Sequence, residues 1–120
     1  MNILYLEDEN EIREATCNTL SLAANEIKSC VNGVEAFEIL DSGYKPDLIV
    51  TDLNMPKMDG FAFINKIKER GLTIPIIVLS GYYSYQDIKK FMETNLVREF
   101  LSKPTDMLLL METINKIKRA

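Results

Sequence analysis

The chain has 120 residues, of which 47% are hydrophobic and 27% charged, with a net charge of −4, no histidine and two cysteines. A single domain of this size buries about two-thirds of its unfolded surface, so it needs no disulfide or structural metal to hold together. The acidic balance argues against direct nucleic-acid binding, and Cys17 and Cys30 form no CxxC pair that would suggest zinc.

The N-terminus, MNILYLEDEN, turns acidic after a short apolar run, and no stretch approaches the ~20 apolar residues of a membrane span. Neither a signal peptide nor a membrane segment is expected, and the chain reads as one soluble, cytoplasmic domain over residues 1–120 with free thiols. Ile3 to Leu6 reads as a buried strand, and residues 9 to 23 carry Ile12, Ala15, Thr16, Leu20 and Ala23 at helical spacing. Residues 26 to 31 form a weaker strand, suited to a sheet edge. Val34, Phe37 and Leu40 mark a second helix closed near Gly43. Leu48 to Asp52 is the third strand, and Asp59-Gly60 opens a third helix that ends near Gly71. Ile76 to Leu79 is the oiliest strand, and Ser84 with Asp87 predicts a capping box for the fourth helix. Glu99 to Ser102 gives a fifth strand, and Thr105 is expected to cap a last helix carrying Leu110, Ile114 and Ile117 inward.

Strict alternation of five apolar strands with five helices predicts an α/β fold with right-handed crossovers and a parallel sheet covered on both faces. Ligands of such sheets bind beyond the carboxyl ends of the strands. Glu7-Asp8, Asp52, Ser80 and Lys103 stand there, each after an apolar run. With a 2-1-3-4-5 strand order, Glu7, Asp8 and Asp52 converge. Taken singly, each acid is an ordinary helix cap, Lys103 a surface lysine and Ser80-Gly81 a turn. Together, three carboxylates repel unless neutralised, and one lysine offsets only part of their charge. An oxygen-only ligand set calls for a hard divalent ion, Mg²⁺ or Mn²⁺. An aspartate beside such an ion, a lysine and a hydroxyl suits phosphoryl transfer, with Asp52 as nucleophile.

Four segments resemble the receiver domain of two-component response regulators: YLEDE at 5–9, TDLNMPKMDGF at 51–61, LSGY at 79–82 and FLSKP at 100–104. The resemblance spans the chain and implies a flavodoxin-like, doubly wound (βα)5 sandwich of the chemotaxis-regulator type. It further implies that Asp52 accepts phosphate from a sensor histidine kinase, with Lys103 and Ser80 contacting the phosphoryl oxygens. Asp8, Asp52 and the backbone carbonyl of Asn54 would be direct metal ligands, and Glu7 would act through water. Ser80 and Phe100 would be the switch pair. Asn54, Gly81 and Tyr82 would flank the phosphoryl group, and the place of Tyr82 two residues past Ser80 suggests that it screens the group from water and slows its loss. The output would be read on the face of helix four, strand five and helix five by an attached domain or a downstream protein, with homodimerisation on activation left open. Glu7 departs from the more usual aspartate, Ser80 and Phe100 from the commoner Thr and Tyr, and Leu96 from glycine.

A haloacid-dehalogenase-type phosphatase needs a second aspartate two residues after the nucleophile, where this chain has Asn54. A flavodoxin would place a phosphate at the acidic LEDEN turn, where it would be repelled. The expected protein is therefore a phosphoacceptor with at most slow self-hydrolysis, and not an enzyme in the usual sense. The alternative is a receiver-like interaction module that never takes phosphate. Kinase, signal, output and phosphoryl lifetime are not written in the chain. A complete single-domain regulator and the first part of a longer protein both fit it.

Overall fold

The computed structural model describes residues 1–24, 26–53, 57–81 and 84–119. Five parallel strands, β1 (Asn2–Leu6), β2 (Glu26–Cys30), β3 (Leu48–Asp52), β4 (Ile76–Ser80) and β5 (Val97–Ser102), form one sheet in the order β2-β1-β3-β4-β5. The helices between and after them are α1 (Asn10–Leu20), α2 (Gly33–Asp41), α3 (Gly60–Glu69), α4 (Tyr85–Met92) and α5 (Met107–Arg119). This is the flavodoxin-like doubly wound arrangement expected. Among the described residues no helix is long and apolar enough to cross a membrane.

Side chains alternate across each strand, so the apolar runs feed two cores. Leu4, Leu6, Ile49, Ile76 and Val78 pack with Phe37, Phe63, Ile67 and Phe91 beneath α2, α3 and α4. Ile3, Tyr5, Leu48, Val50, Ile77 and Leu79 pack with Leu20, Leu110 and Ile114 beneath α1 and α5. Three rings bridge α3, α4 and β5: Phe61 meets Phe91 edge-on at 5.3 Å, and Phe91 meets Phe100 edge-on at 5.5 Å.

The caps largely follow the sequence. Asp59 accepts from the Ala62 N–H, and Ser84 and Asp87 close the capping box expected for α4. Gly60 is demanded by close approach: a Cβ there would sit 3.0 Å from the Leu53 backbone, whose carbonyl accepts the Gly60 N–H at 2.9 Å. That bond closes the loop after Asp52.

Three local expectations are corrected. Helix α1 stops at Leu20 rather than residue 23, because Thr19 and Ser21 hydroxyls bond back to the carbonyls of Ala15 and Asn18 and the next turns tighten to i−3 bonds. Helix α5 is capped by Asp106, not Thr105; the Asp106 carboxylate accepts the N–H groups of Leu108 and Leu109 at 2.9 and 3.2 Å. The turn before β5 holds Asn95 in the left-handed region (φ 63), a conformation that asparagine tolerates. The strand then begins at Val97, two residues before the expected Glu99. Its register against β4 jumps from Ile76↔Val97 to Ile77↔Glu99, so Arg98 is the extra residue of a β-bulge.

Burial pushes the Cys30 thiol up to about 12, with the charge of Glu35 adding to the effect. The folded chain thus keeps a proton that the unfolded chain releases near the ordinary thiol value of about 8.5. This contribution to stability is fully present below that value and is lost as pH rises toward 12. The urea midpoint should fall between pH 8.5 and 10.5, and Cys30→Ala should make the fall shallower; equal slopes would refute the assignment. Truncating the central ring, Phe91→Ala, should cost about 3–5 kcal/mol in urea unfolding at pH 7.

Candidate functional site

Strand register assembles the site. Leu6 pairs with Thr51, so Glu7, one residue on, comes level with Asp52. Asp52 itself pairs with Leu79, the residue before Ser80. Ser80 pairs with Ser102, the residue before Lys103, and the Lys103 N–H donates to the Ser80 carbonyl at 2.9 Å. Four strands therefore end at one rim with a polar side chain each.

Oxygens of Glu7, Asp8 and Asp52 all lie within 4.8 Å of one another. Glu7 is fully buried, Asp52 nearly so, and Asp8 is exposed. Two like charges about 5 Å apart oppose each other by roughly 3 kcal/mol at an effective dielectric near 20. The Lys103 ammonium answers part of this, donating to Glu7 Oε1 at 2.7 Å and to Asp52 Oδ2 at 3.0 Å. Burial pulls the Lys103 ammonium downward, but its bonds to Glu7 and Asp52 outweigh that and hold it above the ordinary lysine value. Glu7 moves upward as well, because the desolvation of a fully buried carboxyl exceeds what Lys103 and the Glu9 N–H return. Ser80 is buried beside this group, and Phe100 is half-buried against Phe91.

Among the described residues one lysine is bonded to this group of three acids, which leaves the group net negative. The donor set is all oxygen, and its spacing is close to the roughly 3–4 Å that separates ligand oxygens around a small octahedral cation. The residues thus fit Mg²⁺ or Mn²⁺. Asn54 and Tyr82, expected as a carbonyl ligand and a flanking ring, lie outside the described residues. Among the described residues an added Cβ at Gly81 would meet the Lys103 Cβ at 3.9 Å, an ordinary contact.

Two features were not anticipated from the sequence. The Lys103–Glu7 pair links residues 96 positions apart, and no local pattern announces it. Arg13 of α1 donates from Nη1 to the Glu7 carbonyl at 2.9 Å, an arginine one turn past the helix start being the only sequence sign of it.

The chain belongs to the response regulator receiver domain family, whose sequence model matches residues 3–115. It is 33% identical over 102 residues to the Regulator of RpoS of Escherichia coli; the match takes in 85% of this chain and 30% of that protein. The chain thus spans less than a third of that curated relative. Among solved structures, the N-terminal domain of an uncharacterised protein of Wolinella succinogenes is 33% identical with a TM-score of 0.88, covering 99% of this chain and 94% of that one. The signal receiver domain of a histidine kinase of Syntrophus aciditrophicus is 30% identical with a TM-score of 0.83, over 97% and 88%.

Lys103→Met should lower stability by about 2 kcal/mol or more in metal-free buffer, since it removes the ammonium that two buried acids share. Adding Glu7→Gln should recover part of that loss. Additive effects in the double-mutant cycle would show that the pair is not coupled.

Proposed function

We propose that this receiver domain is a phosphoacceptor that takes a phosphoryl group on Asp52 from a phosphohistidine of a sensor kinase. One observation carries the reading: Asp52 stands at the end of a buried strand with Lys103 Nζ 3.0 Å from its carboxylate and two further acids within 4.8 Å. In the reaction an Asp52 oxygen attacks phosphorus, the P–N bond breaks, and an acyl phosphate results. Lys103 and the Ser80 hydroxyl contact the phosphoryl oxygens, where transfer concentrates charge. Asp8, Asp52 and the Asn54 carbonyl would hold Mg²⁺, with Glu7 acting through water, and the ion supplies positive charge at the transferring group. A rigid parallel strand aims the carboxylate and leaves it little freedom to lose on reaction.

The acyl phosphate persists as a signal because no acid stands two residues after Asp52 to speed its loss. The domain acts as a slow self-hydrolase at most. Phosphorylation draws Ser80 toward the new oxygens and Phe100 follows. Contact of Phe100 with Phe91, and of Phe91 with Phe61, supports transmission to α4. The changed face of α4, β5 and α5 is then read by an output domain, a downstream protein or a second copy of the chain. The net charge of −4 supports a protein partner for this domain in preference to nucleic acid.

Incubation with acetyl phosphate and Mg²⁺, followed by intact-mass measurement, should add one phosphoryl group to the wild type and none to Asp52→Asn. Chelating the metal should slow the reaction at least about 10-fold. A protein that stays unmodified under all conditions is an interaction module, and one that turns over acetyl phosphate repeatedly is a phosphatase.

A further inference from the structure

Arg13 is half-buried on the first turns of α1 and points back toward the turn that leaves β1. Its guanidinium forks: Nη1 donates to the Glu7 carbonyl at 2.9 Å, and Nη2 donates to Asn10 Oδ1. Its own N–H donates to the Glu9 carbonyl at 2.9 Å. The same turn is tied at its other end by the Glu7 N–H, which donates to the Cys30 carbonyl of β2 at 3.0 Å. No side chain caps α1; the residue at its N-cap, Glu9, makes no capping bond, and its N–H goes to Glu7 Oε2 at 3.3 Å. The Arg13 fork donates only, so it does not satisfy the first N–H groups of α1 as a cap would, but it ties the Glu7 carbonyl at the strand end to Asn10 and the helix.

That segment carries two of the three clustered acids. Lys103 contacts Glu7 and Asp52, while Asp8 shares the exposed turn and gains nothing from those two bonds. Mutual repulsion pushes the turn outward, away from Asp52. Because Arg13 grips a backbone carbonyl, its geometric role and its charge predict opposite outcomes. As a charge near the cluster, a guanidinium opposes a divalent cation, so its removal should tighten binding. As a fastening, it holds the oxygens in place, so its removal should weaken binding.

We propose that Arg13 is a positioning residue: its fork holds the acidic turn so that Glu7 and Asp8 meet Asp52 at the spacing a divalent cation requires. This rests on the metal reading of the site given above.

The test is calorimetric titration of Mg²⁺ into the full chain as wild type, Arg13→Ala and Arg13→Lys, with thermal unfolding to confirm that each is folded. Arg13→Ala should bind about 10-fold more weakly, as changes in groups that orient metal ligands commonly do. Arg13→Lys keeps the charge but not the planar fork, and should bind nearly as weakly. With acetyl phosphate, the half-saturating Mg²⁺ concentration should rise in both variants while the rate at saturating Mg²⁺ stays within about 2-fold of wild type. Equal or tighter binding by folded Arg13→Ala overturns the proposal, and so does full restoration by Arg13→Lys, which would show that the planar fork is not what holds the turn. If Arg13→Ala does not fold, Arg13→Lys against wild type decides. A wild type that takes up no Mg²⁺ sinks the metal reading and this inference together; a wild type that binds while Arg13→Ala binds equally sinks this inference alone.

Discussion

The ammonium of Lys103, set between the buried carboxylates of Glu7 and Asp52, is the contact on which the rest of the rim depends. It joins the ends of β1, β3 and β5, which only the parallel order brings to one place. Removing two carboxylates from water costs several kcal/mol each, and a single shared lysine does not repay that in full. Well-packed apolar residues of similar volume would make a more stable domain. The upward displacement of Glu7, despite a lysine at 2.7 Å, expresses the same imbalance. The arrangement stores unfavourable charge at one edge of a fold whose two apolar cores can carry it.

Those cores also explain why the charge is aimed so narrowly. Strands β3 and β4 are buried along their whole length, so Asp52 and Ser80 have little room to drift. The opposite holds on the far side of β4, where Phe61, Phe91 and Phe100 meet edge to edge and link α3 and α4 to β5. Rings in such contact shift together more readily than backbone does. The rim is thus closely packed at Asp52 and Ser80, and rings in edge-to-face contact link α3 and α4 to β5 beside it.

The alternation of elements, the doubly covered sheet and the rim residues were legible in the sequence because four apolar runs of strand length ended in polar side chains, with helical patterns between them. What escaped was set by choices that composition does not encode. Apolar spacing continues through Ala23, yet Ser21 and Thr19 end α1 earlier by taking backbone carbonyls. Thr105 and Asp106 are both good caps, and only tertiary placement favours Asp106. Leu96 stood out as a departure that bears on the turn before β5, where Asn95 takes the left-handed conformation and the register against β4 skips Arg98. The Lys103–Glu7 pair and the Arg13 fork depend on distances that exist only after folding.

The bulge at Arg98 reaches beyond local geometry. β5 is the last strand of the sheet, so one of its sides offers unpaired backbone groups. A continuous ladder there would invite a neighbouring polypeptide to extend the sheet, the usual hazard of a free margin. The offset at Arg98 and Glu99, with two successive side chains facing solvent, breaks that ladder partway along. Such an interruption makes the free margin a poorer template for a neighbouring strand to pair along its full length.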